Sequence, residues 1–295
     1  MKKTIILIPI YNDWESVFKL LENINKGLNE WGSNIAEISV VIINDGSTDS
    51  RPINNSKFNN LNSIKIINMK KNKGHARCNA AGLKYISNEE DFDFVIPMDG
   101  DGEDRPEEIS PLLYKAYEDL NKVTTANRVK RSEGPIFRFC YLLHKYLAFI
   151  FTGQMIKFGN YSCLPKHVVN KMINEAATWS SFSGSLAKIV KDKDRVSILS
   201  TRGTRYFGPS KMSFFNLLKH SFSIIAVFKV SLLIRSIIFL IVYLFLVIGK
   251  ISAITLIPVI GVIIMIFSVI ILSKRENISE FNDSLENIRS IDKIK

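Results

Sequence analysis

"FVIPMDGDGEDRPEEI", residues 94–109, passes from an apolar stretch into six acidic side chains within ten residues. Like charges at that density repel one another and cost stability unless something positive sits among them. The parts come in a fixed order: an apolar strand, a loop with Gly100 and Gly102, and a helix opened by Pro106 near its first turn. The same order recurs through the first 126 residues. Apolar strand candidates lie at 4–10, 37–43, 64–68, 93–98 and 122–126, with helix-like stretches at 14–31, 75–88 and 106–120. Strands alternating with helices predict an α/β fold with a mostly parallel sheet flanked by helices. Ligands of such sheets bind beyond the carboxyl ends of the strands. That rule selects "YND" (11–13), "NDGSTD" (44–49), "NKGHAR" (72–77) and "DGDGED" (99–104).

The chain has 295 residues and a net charge of +11, unevenly spread. Residues 89–108 carry ten acids against Arg105 alone, and residues 188–219 carry eight Lys/Arg against Asp192 and Asp194. Such a balance points to an anionic partner, either a phosphorylated ligand or a lipid surface. Aromatic-glycine RNA signatures and zinc-finger spacings are absent, which argues against nucleic acid. Cys78, Cys140 and Cys163 lie far apart and form neither a disulfide framework nor a metal-ligand pair. They read as buried thiols of a reducing compartment. The opening "MKKTIILIPIYND" begins like a secretory leader, but Pro9 and Asn12 break its apolar run, so it is read as a buried first strand.

Residues 127–210 are less regular, with an apolar helix at 136–151. In "KMSFFNLLKHSFSIIAVFKV", 211–230, Phe214, Leu217, Leu218, Phe222, Ile225 and Phe228 form one stripe at helical spacing, the pattern of a helix in the membrane interface. Two apolar runs follow, 231–248 with Arg235 near its start and 251–272 with no charge. At about 1.5 Å per residue each approaches the length needed for a hydrocarbon core of about 30 Å. Gly249 and Lys250 leave only a short turn between them, so the pair reads as a two-span hairpin. Lys/Arg on both flanks, including Lys274 and Arg275, place both ends on the cytoplasmic side of an inner membrane. The tail, 273–295, has Ile278, Phe281, Leu285, Ile288 and Ile291 at helical spacing and is expected to be a short amphipathic helix.

Asp99 and Asp101 form an Asp-x-Asp pair at a strand end, with glycines beside both. Two carboxylates in such a loop suit Mg²⁺ or Mn²⁺, hard ions that take oxygen ligands and draw further ones from a substrate's phosphates. Glu103, Asp104, Glu107 and Glu108 are also accounted for as an acidic helix entry. That account does not reach back to Asp99 and Asp101.

The segments "PIYND", "INDGSTD", "NKGHARCNAAG" and "MDGDGEDRPEEI", in this order and each at a strand end, resemble the family 2 glycosyltransferases of GT-A fold over roughly residues 4–126. The resemblance implies that the first loops hold the nucleotide of a UDP- or GDP-linked sugar and that the Asp-x-Asp carries the metal bridging its diphosphate. Carried over, Pro9, Tyr11 and Asp13 line the base pocket, Asp45 contacts the base, and Arg77 reaches it. Asp99 contacts ribose or metal, Asp101 the metal, and Glu103 stands where membrane-bound members have a Gln that helps ligate it. "RYFGPSKM", 205–212, resembles the Arg-x-x-Gly-x-Ser-Lys segment of the polyprenyl-phosphate, dolichyl-phosphate mannosyltransferase-like enzymes. In them that segment covers the donor phosphates, which makes Arg205 and Lys211 phosphate contacts. A basic patch facing anionic lipid is the plainer account of these cations.

Between residues 134 and 275 the only acids are Glu175, Asp192 and Asp194, so a carboxylate base for a sugar-hydroxyl acceptor is hard to find. A phosphate acceptor is already ionised and needs cations, and Arg128, Arg131, Arg138, Lys166, Arg202, Arg205 and Lys211 supply them. Arg128 and Arg131 are the expected acceptor-phosphate contacts. One departure stands against this: where polyprenyl-phosphate enzymes read Gly-Asp-Phe-Arg the chain reads "GNYS", so Ser162 replaces the expected Arg. The leading expectation is hexose transfer to a polyprenyl phosphate. The alternatives are extension of a lipid-linked glycan for a surface polysaccharide, with His144, His167 or His220 as base, and a catalytically silent membrane scaffold. The expected layout is a cytoplasmic catalytic domain over 1–210 (nucleotide half 1–126, acceptor half 127–210), an interfacial helix over 211–230, the hairpin over 231–272, and the tail. A hairpin of this kind can also pair with copies of itself.

Overall fold

The computed structural model describes residues 1–30, 35–54, 56–130, 146–209 and 214–295. Its centre is four parallel strands in the order β4–β1–β2–β3: β1 (Lys3–Ile10), β2 (Glu37–Asn44), β3 (Ile64–Met69) and β4 (Phe94–Pro97). β1 lies in the middle, with Leu7 opposite Val41 on one side and Pro97 on the other, and every residue from Thr4 to Ile10 is buried. That is why its sequence runs apolar without alternation.

One face is covered by α1 (Trp14–Glu30) and α3 (Ile109–Glu118), the other by α2 (His75–Glu89). In α1, Val17, Leu20, Leu21, Ile24 and Leu28 recur at three and four residues and pack on Ile6, Ile8 and Ile10. Across the sheet, Cys78 and Leu83 of α2 pack among Leu7, Val41 and Ile43. The acidic segment enters α3 through a 3-10 turn, Pro106–Glu108.

The sheet is larger than the sequence foretells. β5 (Val123–Lys130), α4 (residues 146–152), β6 (Phe158–Pro165), α5 (Lys166–Met172), α6 (Phe182–Ile189) and β7 (Arg195–Thr201) follow before the long apolar helices. β6 runs antiparallel to both β4 and β5, and β7 runs parallel to β5. The eight-stranded order is β7–β5–β6–β4–β1–β2–β3–β8.

Helix α7 (Phe214–Ala226) leads into α8 (Lys229–Val247) and α9 (Ala253–Ser273), both long and apolar enough to cross a membrane. Ser252 caps α9 reciprocally with Thr255, which starts that helix sharply after the turn. Phe151, Ile225, Leu232, Val262 and Val269 bind the helices into a small core of their own.

The tail corrects the expectation of one amphipathic helix. It forms a single turn, α10 (Ile278–Asn282), a 3-10 turn (Asp283–Asn287), and then β8 (Ile288–Lys293), which pairs antiparallel with β3. The apolar spacing is real but is spent on different partners. Phe281 is fully buried, while Asn282, Asp283 and Ser284 favour turns over a continued helix. The free edge of β3 then offers a row of backbone donors and acceptors to the residues that follow.

Candidate active site

Beyond the carboxyl ends of β1 and β2 the loops are sewn together by one side chain. Asn12, at φ +51°, accepts N–H groups from Thr48 (2.8 Å) and Asp49 (3.1 Å), and its own N–H donates to Ser47 Oγ at 2.8 Å. Asp45, buried at the end of β2, accepts the backbone N–H groups of Lys73 (2.9 Å) and Gly74 (2.8 Å). Burial raises its pKa and those two donors partly oppose the rise. Tyr11 is exposed, and Pro9 is buried within β1.

The positive partner of the acidic stretch is the segment after β7, which runs back along it. Glu108 accepts from Ser200 Oγ (2.7 Å) and the Thr201 N–H (3.0 Å), and Arg105 donates to Thr201 Oγ1 at 2.8 Å. Glu103 pairs with Arg202, and its carbonyl takes the Gly203 N–H at 2.8 Å. Asp101 receives Arg205 Nη1 at 2.7 Å, and its carbonyl takes the Tyr206 N–H at 2.9 Å. The fit is close: a Cβ on Gly203 would lie 2.4 Å from the Gly102 carbonyl, and one on Gly102, at φ +91°, would lie 2.6 Å from the Tyr206 ring.

Arg205 bridges two loops. Its second amino group pairs with Asp13, whose other oxygen accepts Ser16 Oγ at 2.6 Å in the first turn of α1. The guanidinium therefore stands between the first loop and the Asp-x-Asp loop, where it offsets two carboxylates.

Asp99 and Asp104 form a second cluster. Asp104 accepts the Asp99 N–H (2.9 Å) and Arg128 Nη2 (2.8 Å). Burial raises the pKa of both, with the Asp101 charge adding to the rise at Asp99 and the Asp99 charge to that at Asp104, and Arg128 counters both. Asp99 Oδ1 is buried and accepts no hydrogen bond; His75 Nε2 stands 3.4 Å from it. His75 also meets Asn79 Nδ2 at 3.1 Å and Asn160 Nδ2 at 2.6 Å, and burial lowers its pKa. A buried carboxylate oxygen without a donor is the arrangement that suits a hard cation. Among the described residues no three His, Cys, Asp or Glu side chains converge to hold an ion unaided. Asp99 and Asp101 are two carboxylates on one loop that could hold an ion only with further ligands from elsewhere, and the Glu103 carboxylate is turned to Arg202.

Half of the expected residues meet here: Asp13, Asp99, Asp101, Glu103, Arg128 and Arg205 lie around the acidic loop. Arg77 does not. It turns away to Glu280 Oε2 (3.2 Å) and lies over the Trp179 ring. Ser162, fully buried in β6, donates to the Asn160 carbonyl at 2.9 Å. His167 is on α5, and His220 is on α7, where the charge of His75 reaches it. Arg131, Arg138, Cys140, His144 and Lys211 lie outside the described residues. Sequence reasoning overlooked His75 and Asp104, although both sit inside the quoted motifs. The Asp104 reading as helix-entry charge hid its role under Asp99.

Residues 5–182 match the family model described as glycosyl transferase family 2. Among solved structures the chain resembles glucosyl-3-phosphoglycerate synthase from Mycobacterium tuberculosis, in complex with Mn²⁺, UDP-glucose and phosphoglyceric acid. The TM-score is 0.55 at 13% identity, over 78% of this chain and 80% of that one. A mannosyltransferase from Pyrobaculum calidifontis, in complex with GDP-mannose and Mn²⁺, is similar over 97% of this chain and 87% of its own at TM-score 0.47 and 12% identity.

Proposed function

The chain belongs to glycosyl transferase family 2, and from that premise we propose that it moves a hexose from a nucleotide-sugar to a polyprenyl phosphate at the cytoplasmic face of a membrane. The observation that carries the donor half is Arg205, held between Asp13 and Asp101 on the loop that also carries Asp99, whose buried Oδ1 accepts no hydrogen bond. Asp99 and Asp101 would hold Mg²⁺ or Mn²⁺, which would supply positive charge to offset that of a departing nucleoside diphosphate. The synthase of similar fold is described with Mn²⁺ and UDP-glucose, in keeping with this choice of ion and donor class.

Arg205 then shifts from the carboxylates to the donor phosphates, where a guanidinium stabilises developing negative charge. Asp45 and the first loop bind the base, and Tyr11, exposed beside them, supplies a face for stacking. Arg205 is joined in this by Lys211, and Arg128, which pairs with Asp104, and Arg131 are the residues assigned to the acceptor phosphate. The 1–210 part is the catalytic body, α7 lies in the interface, and α8 and α9 anchor it. Their two ends both return to that body, α7 directly and α9 through a tail that ends in its sheet, which favours an even number of crossings.

Ser162 favours a second reading. Buried within β6, it leaves no cation where related enzymes hold the acceptor phosphate, and extension of a lipid-linked glycan fits that better. The deciding experiment is transfer in detergent with Mn²⁺, labelled UDP- and GDP-sugars, and undecaprenyl phosphate. Label entering the organic phase, and lost in Asp101→Ala, supports the first reading. Label remaining aqueous while a nucleoside diphosphate binds with metal supports the second. Absence of metal-dependent nucleotide binding leaves only the scaffold.

A further inference from the structure

The segment that returns from α9 sets one carboxylate against the turn that holds Asp45. Glu280, on α10, accepts from Trp179 Nε1 at 2.9 Å and pairs with Lys73 Nζ at 2.9 Å and Arg77 Nη2 at 3.2 Å. The Trp179 hydrogen bond, and behind it the two cations, hold its carboxyl below the ordinary range against the opposing effect of burial. Its neighbour Phe281 is wholly buried and stacks on the Trp179 ring at 5.4 Å, while Lys84 Nζ donates to the Asn282 carbonyl at 2.9 Å. The turn of helix carrying Glu280 is therefore fixed on both sides.

Lys73 and Arg77 are not ordinary surface cations. The N–H groups of Lys73 and Gly74 hold Asp45, and the same turn opens α2 and presents His75 to Asp99. Beneath this turn lies a cavity of about 350 Å³, lined by Asp45, Lys73, Arg77, Trp179, Glu280 and Ser284 among others. The tail also holds the start of this turn, where the Asn287 carbonyl accepts the Lys70 N–H at 2.6 Å and Asn287 Nδ2 donates to the Lys71 carbonyl at 3.0 Å, so the Glu280 ion pairs are the contacts that carry the hold on to Lys73 and Arg77.

We propose that Glu280 is a positioning residue of the donor pocket, clamping the Lys73–Arg77 turn, and through it Asp45 and His75, from the chain segment beyond the apolar hairpin. This rests on the donor-site reading of Asp45 given above. A tail that merely closed the sheet would use contacts such as Asp292 with Arg51 (2.8 Å) and Asn68 (3.2 Å), which avoid the turn and so serve as the control.

The test uses the full chain in detergent, with Glu280→Gln compared with Asp292→Asn. Without nucleotide, amide exchange at Lys73 and Gly74 is expected to accelerate about tenfold in Glu280→Gln and to stay at the wild-type rate in Asp292→Asn. With Mn²⁺, the KM for donor is expected to rise about tenfold in Glu280→Gln with kcat within about twofold, the pattern of lost binding rather than lost chemistry. Wild-type exchange in Glu280→Gln overturns the clamp whatever the nucleotide does, as do equal changes in both variants. Accelerated exchange in a protein whose wild type binds neither UDP nor GDP overturns the donor-site reading and leaves the clamp on the turn standing.

Discussion

Arg205 and Asp101, 104 residues apart, meet at 2.7 Å, and the same guanidinium reaches Asp13 on the first loop. One cation thus holds together two loops whose carboxylates would otherwise repel across the site. The relationship has a chemical consequence. On the proposed donor-site reading, an arginine parked on the Asp-x-Asp loop lies close to where donor phosphates and their ion would sit, and a fork of N–H donors can exchange carboxylate oxygens for phosphate oxygens with little movement.

Arg205→Lys is accordingly expected to fail nearly as badly as Arg205→Ala. A lysine keeps the charge but cannot bridge Asp13 and Asp101 at once. Transfer should fall by about a hundredfold or more in both variants, the scale for loss of one charge-stabilising donor. The kcat of the lysine variant decides the matter; a value within a few-fold of wild type would mean that charge alone suffices.

Asp101→Asn should remove the response to metal together with the activity. An amide is a poor ligand for Mg²⁺ or Mn²⁺ compared with a carboxylate. Titration of Mn²⁺ into the chelator-treated wild type should restore transfer, whereas the variant should stay about a hundredfold down at any attainable Mn²⁺. Asp13 still pairs with Arg205 in this variant, so the fold is expected to survive, and circular dichroism checks it.

Gly102→Ala tests the fit between the acidic loop and the strap that covers it. The added methyl would sit 2.6 Å from the Tyr206 ring on a backbone at φ +91°, so both space and conformation oppose it. Destabilisation of about 1–3 kcal/mol is expected, with a larger loss in transfer than Gly208→Ala. At Gly208 a Cβ meets nothing within 4 Å, although φ is +65° there too. Chemical denaturation and kcat for the two variants separate crowding from backbone strain.

The parallel core was legible because its strands are apolar throughout and its helices carry stripes, and both signals are local. Asp99 and Asp101 were legible because two acids and two glycines at a strand end have few structural uses. β6 and β7 were not, since "FGNYSCLP" and "RVSILST" carry mixed side chains and owe their form to neighbours rather than to pattern. The tail misled for a different reason. Ile288 and Ile291 continue the helical spacing of Phe281 and Leu285, yet a free strand edge outcompeted the helix. His75 escaped notice because a histidine in a glycine turn acquires meaning only when β4 and β6 bring Asp99 and Asn160 to it. Pairings such as Glu280 with Arg77 join positions about two hundred residues apart, and no periodicity records them.

The last prediction concerns pH. Burial, aided by the charges of His75 and Arg275, lowers the pKa of His220 to about 4. An unfolded histidine titrates near about 6.5, so between these values the unfolded chain binds the proton more readily than the folded one. The contribution of His220 is therefore complete above about pH 6.5 and is lost as pH falls towards 4, at a cost of about 2 kcal/mol by pH 5. His220→Gln cannot take up that proton, so its stability should fall less steeply between pH 7.5 and pH 5 than that of the wild type. Denaturation midpoints at the two pH values check this, and parallel slopes for the two proteins would show that His220 is solvated and titrates normally. His167, also lowered by burial but at the surface of α5, gives the contrast: His167→Gln should leave most of the wild-type slope in place.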